Sequence, residues 1–368
     1  MFNIQAQNIE KVSPIKQVLP KKEVKLIYPS AEINFLPRRP VLINILYRKG
    51  DFMKVGIIGS GMVGATSAYA IMLRKAASNI VLIDINKKRA IAEAQDILHA
   101  VPFASATDIF AGDYEDLKDV KIVIITAGAN QKPGETRLEL MGRNAAIMRD
   151  IISNVVKYNP NPVFLIATNP VDIITHICVS IAKEFGISPT RVIGTGTTLD
   201  TARFRSLLGN CVGVDPQNVH AYVIGEHGDS EVLTWSNIDI GGVSLEDFIE
   251  FRKIEFNENT KNMIDDGVRN AAYKIIEGKG STYYGIGGAI AKLVDVINRD
   301  NRAVLTVSAF NNDIEGVNDV TLSMPHLIGG EGDLGVLPIR INIKEKQLLK
   351  NSAQVIKSRL DEYIKTGV

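Results

Sequence analysis

Cysteine is scarce in this chain of 368 residues: Cys178 and Cys211 are too few for a disulfide framework or a zinc cluster, and they fit a reducing compartment. Long apolar runs are missing too, since none approaches the roughly 20 residues a membrane helix needs. Neither sign of charge dominates. A formal charge of +1 gives no general argument for binding nucleic acid or membrane surfaces. Internal repeats and low-complexity segments are also absent. What is present is a 45% hydrophobic share, ample for a core, in a length that suits two lobes or one large α/β unit. The expectation is a soluble, cytoplasmic protein with no metal, no nucleic acid and no membrane partner.

Residues 1–52 stand apart in composition. They carry nine Lys/Arg against four acids and are broken by Pro14, Pro20, Pro29, Pro37 and Pro40, so a long helix is not expected there. No apolar h-region of a secretory signal is present, and serine and arginine are too few for a transit peptide. Met53 directly precedes the first clear strand. The segment reads as a non-essential extension or an upstream mis-assigned start, with a targeting or partner-binding arm as the alternative.

From Met53 onward, short apolar strands alternate with helices. Strands are expected at Lys54–Ile58, Ile80–Ile83, Ile122–Thr126 and Val163–Ala167, with helices at Met62–Arg74, Lys87–His99 and Glu139–Lys157. Continuous apolar strands separated by helices imply a doubly wound parallel sheet of Rossmann type, covered on both faces. Beyond about residue 195 the pattern loosens. Strands near Val219–Val223, Val304–Phe310 and Val320–Met324, helices at Ile254–Ile276 and Gly285–Arg299, and an amphipathic helix Lys344–Thr366 suggest a mixed α+β lobe. The expected division is extension 1–52, nucleotide-binding domain 53–195 and substrate-binding α+β domain 196–368.

Gly59-Ser60-Gly61-Met62-Val63-Gly64 links the first strand to the first helix. There the glycines allow a tight turn, close approach of backbone to a pyrophosphate, and close helix–strand packing, while the helix N-terminus offers free N–H groups. Asp84 ends the second strand 20 residues after Gly64, where a carboxylate accepts bonds from ribose hydroxyls and repels a 2′-phosphate. Ile85 and Asn86 supply no compensating cation, so NAD is favoured over NADP. The plainer reading is that Asp84 merely ends a strand.

Three polar motifs follow: Ala127-Gly128-Ala129-Asn130-Gln131-Lys132-Pro133-Gly134-Glu135-Thr136-Arg137, Thr168-Asn169-Pro170-Val171-Asp172, and Leu199-Asp200-Thr201-Ala202-Arg203-Phe204-Arg205. The first two follow strands, where ligands collect in open α/β sheets. Next comes Ile224-Gly225-Glu226-His227-Gly228-Asp229-Ser230. A loop histidine is ordinarily a solvated residue, but after a dinucleotide fingerprint and three polar motifs it reads as a general acid/base.

In these motifs, in their order, and in Ser281-Thr282-Tyr283-Tyr284-Gly285-Ile286-Gly287, the chain from about Met53 to the C-terminus resembles the lactate/malate dehydrogenase family, most closely its bacterial-type L-lactate branch. The resemblance implies reversible NADH-dependent reduction of pyruvate to (S)-lactate. It makes His227 the proton donor, Asp200 its charged partner, Arg203 the grip on the substrate carboxylate and Arg137 the lid arginine that polarises the carbonyl. It places Asn169 by the substrate oxygen or the carboxamide, Thr282 by the substrate methyl and Ile286 along the nicotinamide. Gly59, Gly61, Met62, Val63, Gly64, Asp84, Ala127, Gly128 and Asn169 would line the cofactor. Asp200 also has a plainer reading as a helix N-cap.

Gln131 separates substrates within the family, because malate enzymes place an arginine there for the second carboxylate of oxaloacetate. A neutral glutamine would leave that charge buried and unpaired. Arg205 and His220 match an anion site between subunits in relatives activated by fructose 1,6-bisphosphate; an ordinary salt bridge for Arg205 and a packed strand position for His220 are the alternatives. A homotetramer is implied by the same resemblance. The competing functions are malate dehydrogenase, a non-enzymatic NAD-binding protein, and an NAD-dependent glycosidase. The last is disfavoured because Thr168 stands where those enzymes carry a metal-binding cysteine.

Overall fold

The computed structural model describes residues 53–130, 132 and 134–366, so the expectations for residues 1–52 and for Gln131 lie outside the described residues. β1 (Lys54–Ile58) is buried from Val55 onward and turns at Gly59 into α1 (Met62–Leu73). β2 (Asn79–Ile83), α2 (Lys87–Ala100), β3 (Asp108–Ala111), β4 (Ile122–Ile125), α3 (Arg137–Tyr158), β5 (Val163–Ile166), α4 (Val171–Glu184) and β6 (Val192–Gly194) follow. The interior strands β2, β4 and β5 are buried at every position, the signature of a sheet covered by helices on both sides. All six strands pair in parallel in the order β3-β2-β1-β4-β5-β6. The strand order switches sides between β1 and β4, and open α/β sheets bind ligands at the carboxyl ends of strands at such a point.

The rest of the chain runs through α5 (Thr198–Val212), β7 (Val219–His220), β8 (Val223–Ile224), β9 (Val232–Leu233), β10 (Asp239–Ile240), β11 (Val243–Ser244) and α6 (Leu245–Arg252). It continues with α7 (Glu258–Arg269), α8 (Ala271–Lys279), α9 (Tyr284–Arg299), β12 (Ala303–Ile314), β13 (Val317–Gly329), β14 (Gly332–Val336) and α10 (Ile343–Thr366). β12 pairs antiparallel with β6, Ser308 facing Gly194, and β13 and β14 extend the same sheet. One sheet therefore crosses the boundary near residue 195.

Two apolar layers hold this sheet. Met148 and Ile152 of α3, Ile174 and Cys178 of α4, and Ala353 and Ile356 of α10 form part of one. Ile71 and Met72 of α1 with Ile290, Val294 and Ile297 of α9 belong to the other. A third cluster joins Phe204 and Leu208 of α5 to Ile264 and Val268 of α7. Each Val, Leu, Ile, Phe or Met side chain among them contributes about 1.5–3 kcal/mol on full burial.

Several expectations change in detail. The helix read over Ile254–Ile276 is two helices. Asn257 caps the first by accepting the Thr260 N–H, and the chain breaks at Asn270, whose N–H closes on Asp266 and Val268. The strand read over Val219–Val223 is split between β7, which pairs with β10, and β8, which pairs with β9. α3 starts at Arg137 rather than Glu139, because Thr136 and Glu139 form a reciprocal capping box. β3, α4 and β6 were not read from the sequence; β3 and β6 are only four and three residues long.

Candidate active site

The turn after β1 is built to leave room for a ligand. Gly59 adopts φ +104°, a conformation that favours glycine, and a Cβ there would stand 2.5 Å from the Ala127 nitrogen. A Cβ on Gly64 would collide with the Gly59 carbonyl oxygen, so this glycine lets α1 lie against the turn. Gly61 differs: nothing lies within 4 Å of where its Cβ would be. No side chain caps α1 and no acid stands in its first turn, which leaves N–H groups and the positive end of the helix dipole for an anion. The glycines thus fit a dinucleotide pyrophosphate.

Asp84 accepts the Ser60 N–H at 2.6 Å and the Asn86 N–H at 2.8 Å, fixing its carboxylate beside the turn. Two bonds leave acceptor capacity for ribose hydroxyls, so ending the strand and binding ribose are compatible. Of the next three cations along the chain, Lys87, Lys88 and Arg89, the first and the last pair with Asp113 and Glu93. After β4 and β5, Thr168 donates to the Ala127 carbonyl at 2.7 Å and buried Asn144 accepts the Ala129 N–H at 2.8 Å. These bonds hold the Ala127–Gly128 turn. Met62 is exposed and Val63 half-buried at the start of α1, and Ile286 is half-buried in the first turn of α9.

His227, Asp200 and Arg203 are brought together. Asp200, in the first turn of α5, is almost fully buried and takes His227 Nδ1 at 2.6 Å on one oxygen and Arg203 Nη1 at 2.6 Å on the other. It is not the N-cap, a position held by Thr197. With Nδ1 tied, Nε2 is the ring nitrogen left to exchange a proton with a ligand; it makes no hydrogen bond among the described residues, on a side chain still 30% exposed. Burial alone would depress the imidazole. The hydrogen bond and charge of Asp200 prevail, with Asp172 and Glu231 adding to them, and His227 is pushed up to about 9. Burial likewise pushes the Asp200 carboxyl up, but His227 and Arg203 together hold it below its usual range.

The loop carrying His227 is braced on several sides. Gly225 exchanges two main-chain hydrogen bonds with Ser323 of β13. Buried Ser352 of α10 accepts the Glu226 N–H at 2.8 Å and meets the Ser230 hydroxyl at 3.0 Å. Arg359 of α10 pairs with the Glu226 carboxylate. Gly225 has to be small, since a Cβ there would lie 2.6 Å from the Ser352 hydroxyl.

Other expected residues are placed less tightly. The Asp200 contact is Arg203's one hydrogen bond among the described residues, which leaves the rest of its planar fork for a ligand. Arg137 is exposed at the start of α3, away from hydrogen-bond partners among the described residues, so the lid arginine is not brought to His227. Asn169 is exposed after β5, and Thr282 is half-buried before α9. Arg205 donates to the Ala221 carbonyl at 2.9 Å and lies over the Tyr222 ring, with no salt bridge among the described residues, while His220 is exposed on β7. No cluster of metal-ligating side chains occurs among the described residues.

Sequence reasoning missed three acids. Asp172 accepts the His227 main-chain N–H at 2.7 Å, Glu231 is a buried carboxyl next in charge to Asp200, and Glu226 ties the loop to α10. Asp172 carried a signal, a lone acid in the apolar helix sequence VDIITHICVSIA; Glu231 and Glu226 carried none.

The comparisons agree with this geometry. Residues 53–194 match the lactate/malate dehydrogenase NAD-binding domain and residues 197–366 the family's alpha/beta C-terminal domain. The chain is 50% identical over 309 residues to the L-lactate dehydrogenase of Geotalea daltonii, covering 84% of this chain and 99% of that one. It is 50% identical over 305 residues to the L-lactate dehydrogenase of Thermus aquaticus, covering 83% and 97%. Among solved structures, the ligand-bound minor L-lactate dehydrogenase of Enterococcus mundtii is 39% identical with a TM-score of 0.80, covering 85% of this chain and 98% of that one. A lactate dehydrogenase from a Medee basin deep-sea metagenome library is 37% identical with a TM-score of 0.81, covering 85% and 99%. On sequence, fold and the build of its site, the chain belongs to the lactate/malate dehydrogenase family.

Proposed function

We propose that this protein is an L-lactate dehydrogenase that interconverts pyruvate and (S)-lactate, and that the buried Asp200, shared by His227 and Arg203, is the centre of its chemistry. NAD is its cofactor. Gly59, Gly61, Met62, Val63, Gly64, Asp84, Ala127, Gly128, Asn169 and Ile286 would hold the reduced cofactor, whose chemistry there would be the supply of a hydride for the carbonyl carbon. The protein supplies the rest. Arg203 grips the substrate carboxylate with its free N–H groups, which fixes orientation as well as affinity. His227 delivers the Nε2 proton to the carbonyl oxygen and, in reverse, takes it from the lactate hydroxyl, a role typically worth about 10²–10⁴-fold. Asn169 bonds the substrate oxygen, and Thr282 lies beside the methyl group. Arg137, exposed in this structure, reaches the carbonyl when its loop closes and stabilises charge that develops only in the transition state.

Gln131 selects pyruvate by leaving a second carboxylate unpaired. Lobe 53–195 supplies most of the cofactor contacts together with Gln131, Arg137 and Asn169 toward the substrate, and lobe 196–368 supplies Arg203, His227 and Thr282, with Ile286 toward the cofactor. A homotetramer is the proposed assembly, with Arg205 and His220 offering basic groups to fructose 1,6-bisphosphate at a subunit boundary; exposure of His220 supports that role, whereas the Ala221 bond of Arg205 occupies one of its donors. No helix among the described residues is long and apolar enough to cross a membrane, and the proposed location is the cytoplasm.

NADH oxidation with pyruvate and with oxaloacetate, each with and without fructose 1,6-bisphosphate, tests the reading. Pyruvate is the expected substrate by a wide margin in kcat/KM. A preference for oxaloacetate would make the protein a malate dehydrogenase, and no turnover of either would favour a non-enzymatic NAD-binding protein.

A further inference from the structure

His227 is held at two points by two different carboxylates. Asp200 of α5 takes its ring, and Asp172, in the first turn of α4, accepts its main-chain N–H at 2.7 Å. Asp172 is only 3% exposed, and a buried carboxylate is costly unless it is well bonded. Its other oxygen accepts the hydroxyl of fully buried Ser308 of β12 at 2.6 Å. Space for this contact is kept by Gly194, where a Cβ would stand 2.4 Å from the Thr175 hydroxyl and 3.0 Å from the Ser308 Cβ. Helix α4, strand β12 and the catalytic loop therefore meet at one carboxyl group.

We infer that Asp172 is a second positioning carboxylate of the proton donor, fixing the His227 main chain and placing a negative charge beside its imidazole. The inference rests on the reading of His227 as the acid. The charged and titratable groups around His227 are Asp200 and Arg203 of α5, Asp172 of α4, Glu231 in its own loop, and Arg269 of α7 beside Glu231. Glu226 faces Asp172 and is paired with Arg359 of α10. Burial and the charge of Asp200 push the Glu231 carboxyl up. Burial also raises Asp172, but the Ser308 and His227 hydrogen bonds limit the rise to about 6, so it is mostly ionised. After Asp200, Asp172 is the carboxylate whose charge raises His227 most, ahead of Glu231.

Asp172→Asn and Asp172→Ala separate charge from position. Asparagine keeps an acceptor oxygen for the His227 N–H and removes the charge. In Asp172→Asn, the His227 titration read by NMR of labelled histidine, and the pKa governing pyruvate reduction, should both fall by about one unit. On the acid plateau its loss in kcat should be smaller than that of Asp172→Ala, because an acceptor for the His227 N–H is retained. Asp172→Ala should lose about tenfold or more in kcat with the NADH KM changed less than about twofold. Should the alanine variant fail to fold, the asparagine titration decides alone. A His227 titration in Asp172→Asn identical to that of the unmodified protein overturns the inference, as does a folded Asp172→Ala with undiminished kcat. Absence of pyruvate turnover in the unmodified protein would instead overturn the functional reading, while the NMR shift still tests the pairing of Asp172 with His227.

Discussion

Asp200 serves two neighbours with opposite needs. Its bond to His227 favours the imidazolium form, and its bond to Arg203 aims the guanidinium at one end of the same small site. Replacing His227 by asparagine should therefore lower kcat by about 10²–10⁴-fold while leaving NADH affinity, measured by fluorescence titration, within about threefold. A collapse of NADH affinity instead would mark His227 as a structural residue. At this scale the sequence was informative where chemistry is carried by residue type inside a motif: a histidine among glycines, an aspartate three residues before an arginine. It was silent where function depends on burial. Nothing in the local sequence distinguishes Glu231 from a surface acid, and Asp172 becomes an anchor only because Ser308, 136 residues away, donates to it.

Among elements, the turn from β1 into α1 separates two kinds of glycine. Gly64→Ala would drive its Cβ into the Gly59 carbonyl, so it should lower the melting temperature and weaken NADH binding together. Gly61 has an ordinary φ of −72° and open space around its missing Cβ, so Gly61→Ala should leave the melting temperature nearly unchanged and weaken NADH by about tenfold or more. Equal NADH affinity in Gly61→Ala and the unmodified protein would mean that no phosphate approaches there. The elements best read in advance were those with long, unambiguous patterns: β1 has the expected bounds, and α9 begins one residue early. The break at Asn270 escaped notice because apolar periodicity continues across it, from Ile264 and Val268 into Ile275 and Ile276. The split of β7 from β8 is decided by different partner strands, which local pattern does not reveal.

On the scale of the whole molecule, the parallel half of the sheet was legible because each buried strand is a continuous apolar run. Its antiparallel continuation through β12, β13 and β14 was not, since pairing across the Gly194–Ser308 register joins segments more than 100 residues apart. The loop carrying His227 is bonded to both β13 and α10, so distant parts of the chain together set the surroundings of one imidazole. The sign of the resulting pH dependence is fixed by His227. Its folded pKa is raised, so the stability it contributes is fully present below the ordinary histidine value and is lost as pH rises through about 9. Pyruvate reduction needs the protonated imidazole and should fail over the same interval, while lactate oxidation, which needs the neutral ring, should gain. The most direct test is kcat/KM for pyruvate measured against pH in the unmodified protein and in His227→Asn. The expected profile falls as pH rises through about 9, with no such limb in the residual activity of the variant. A profile flat through that range, or the same fall in both proteins, would contradict His227 as the proton donor.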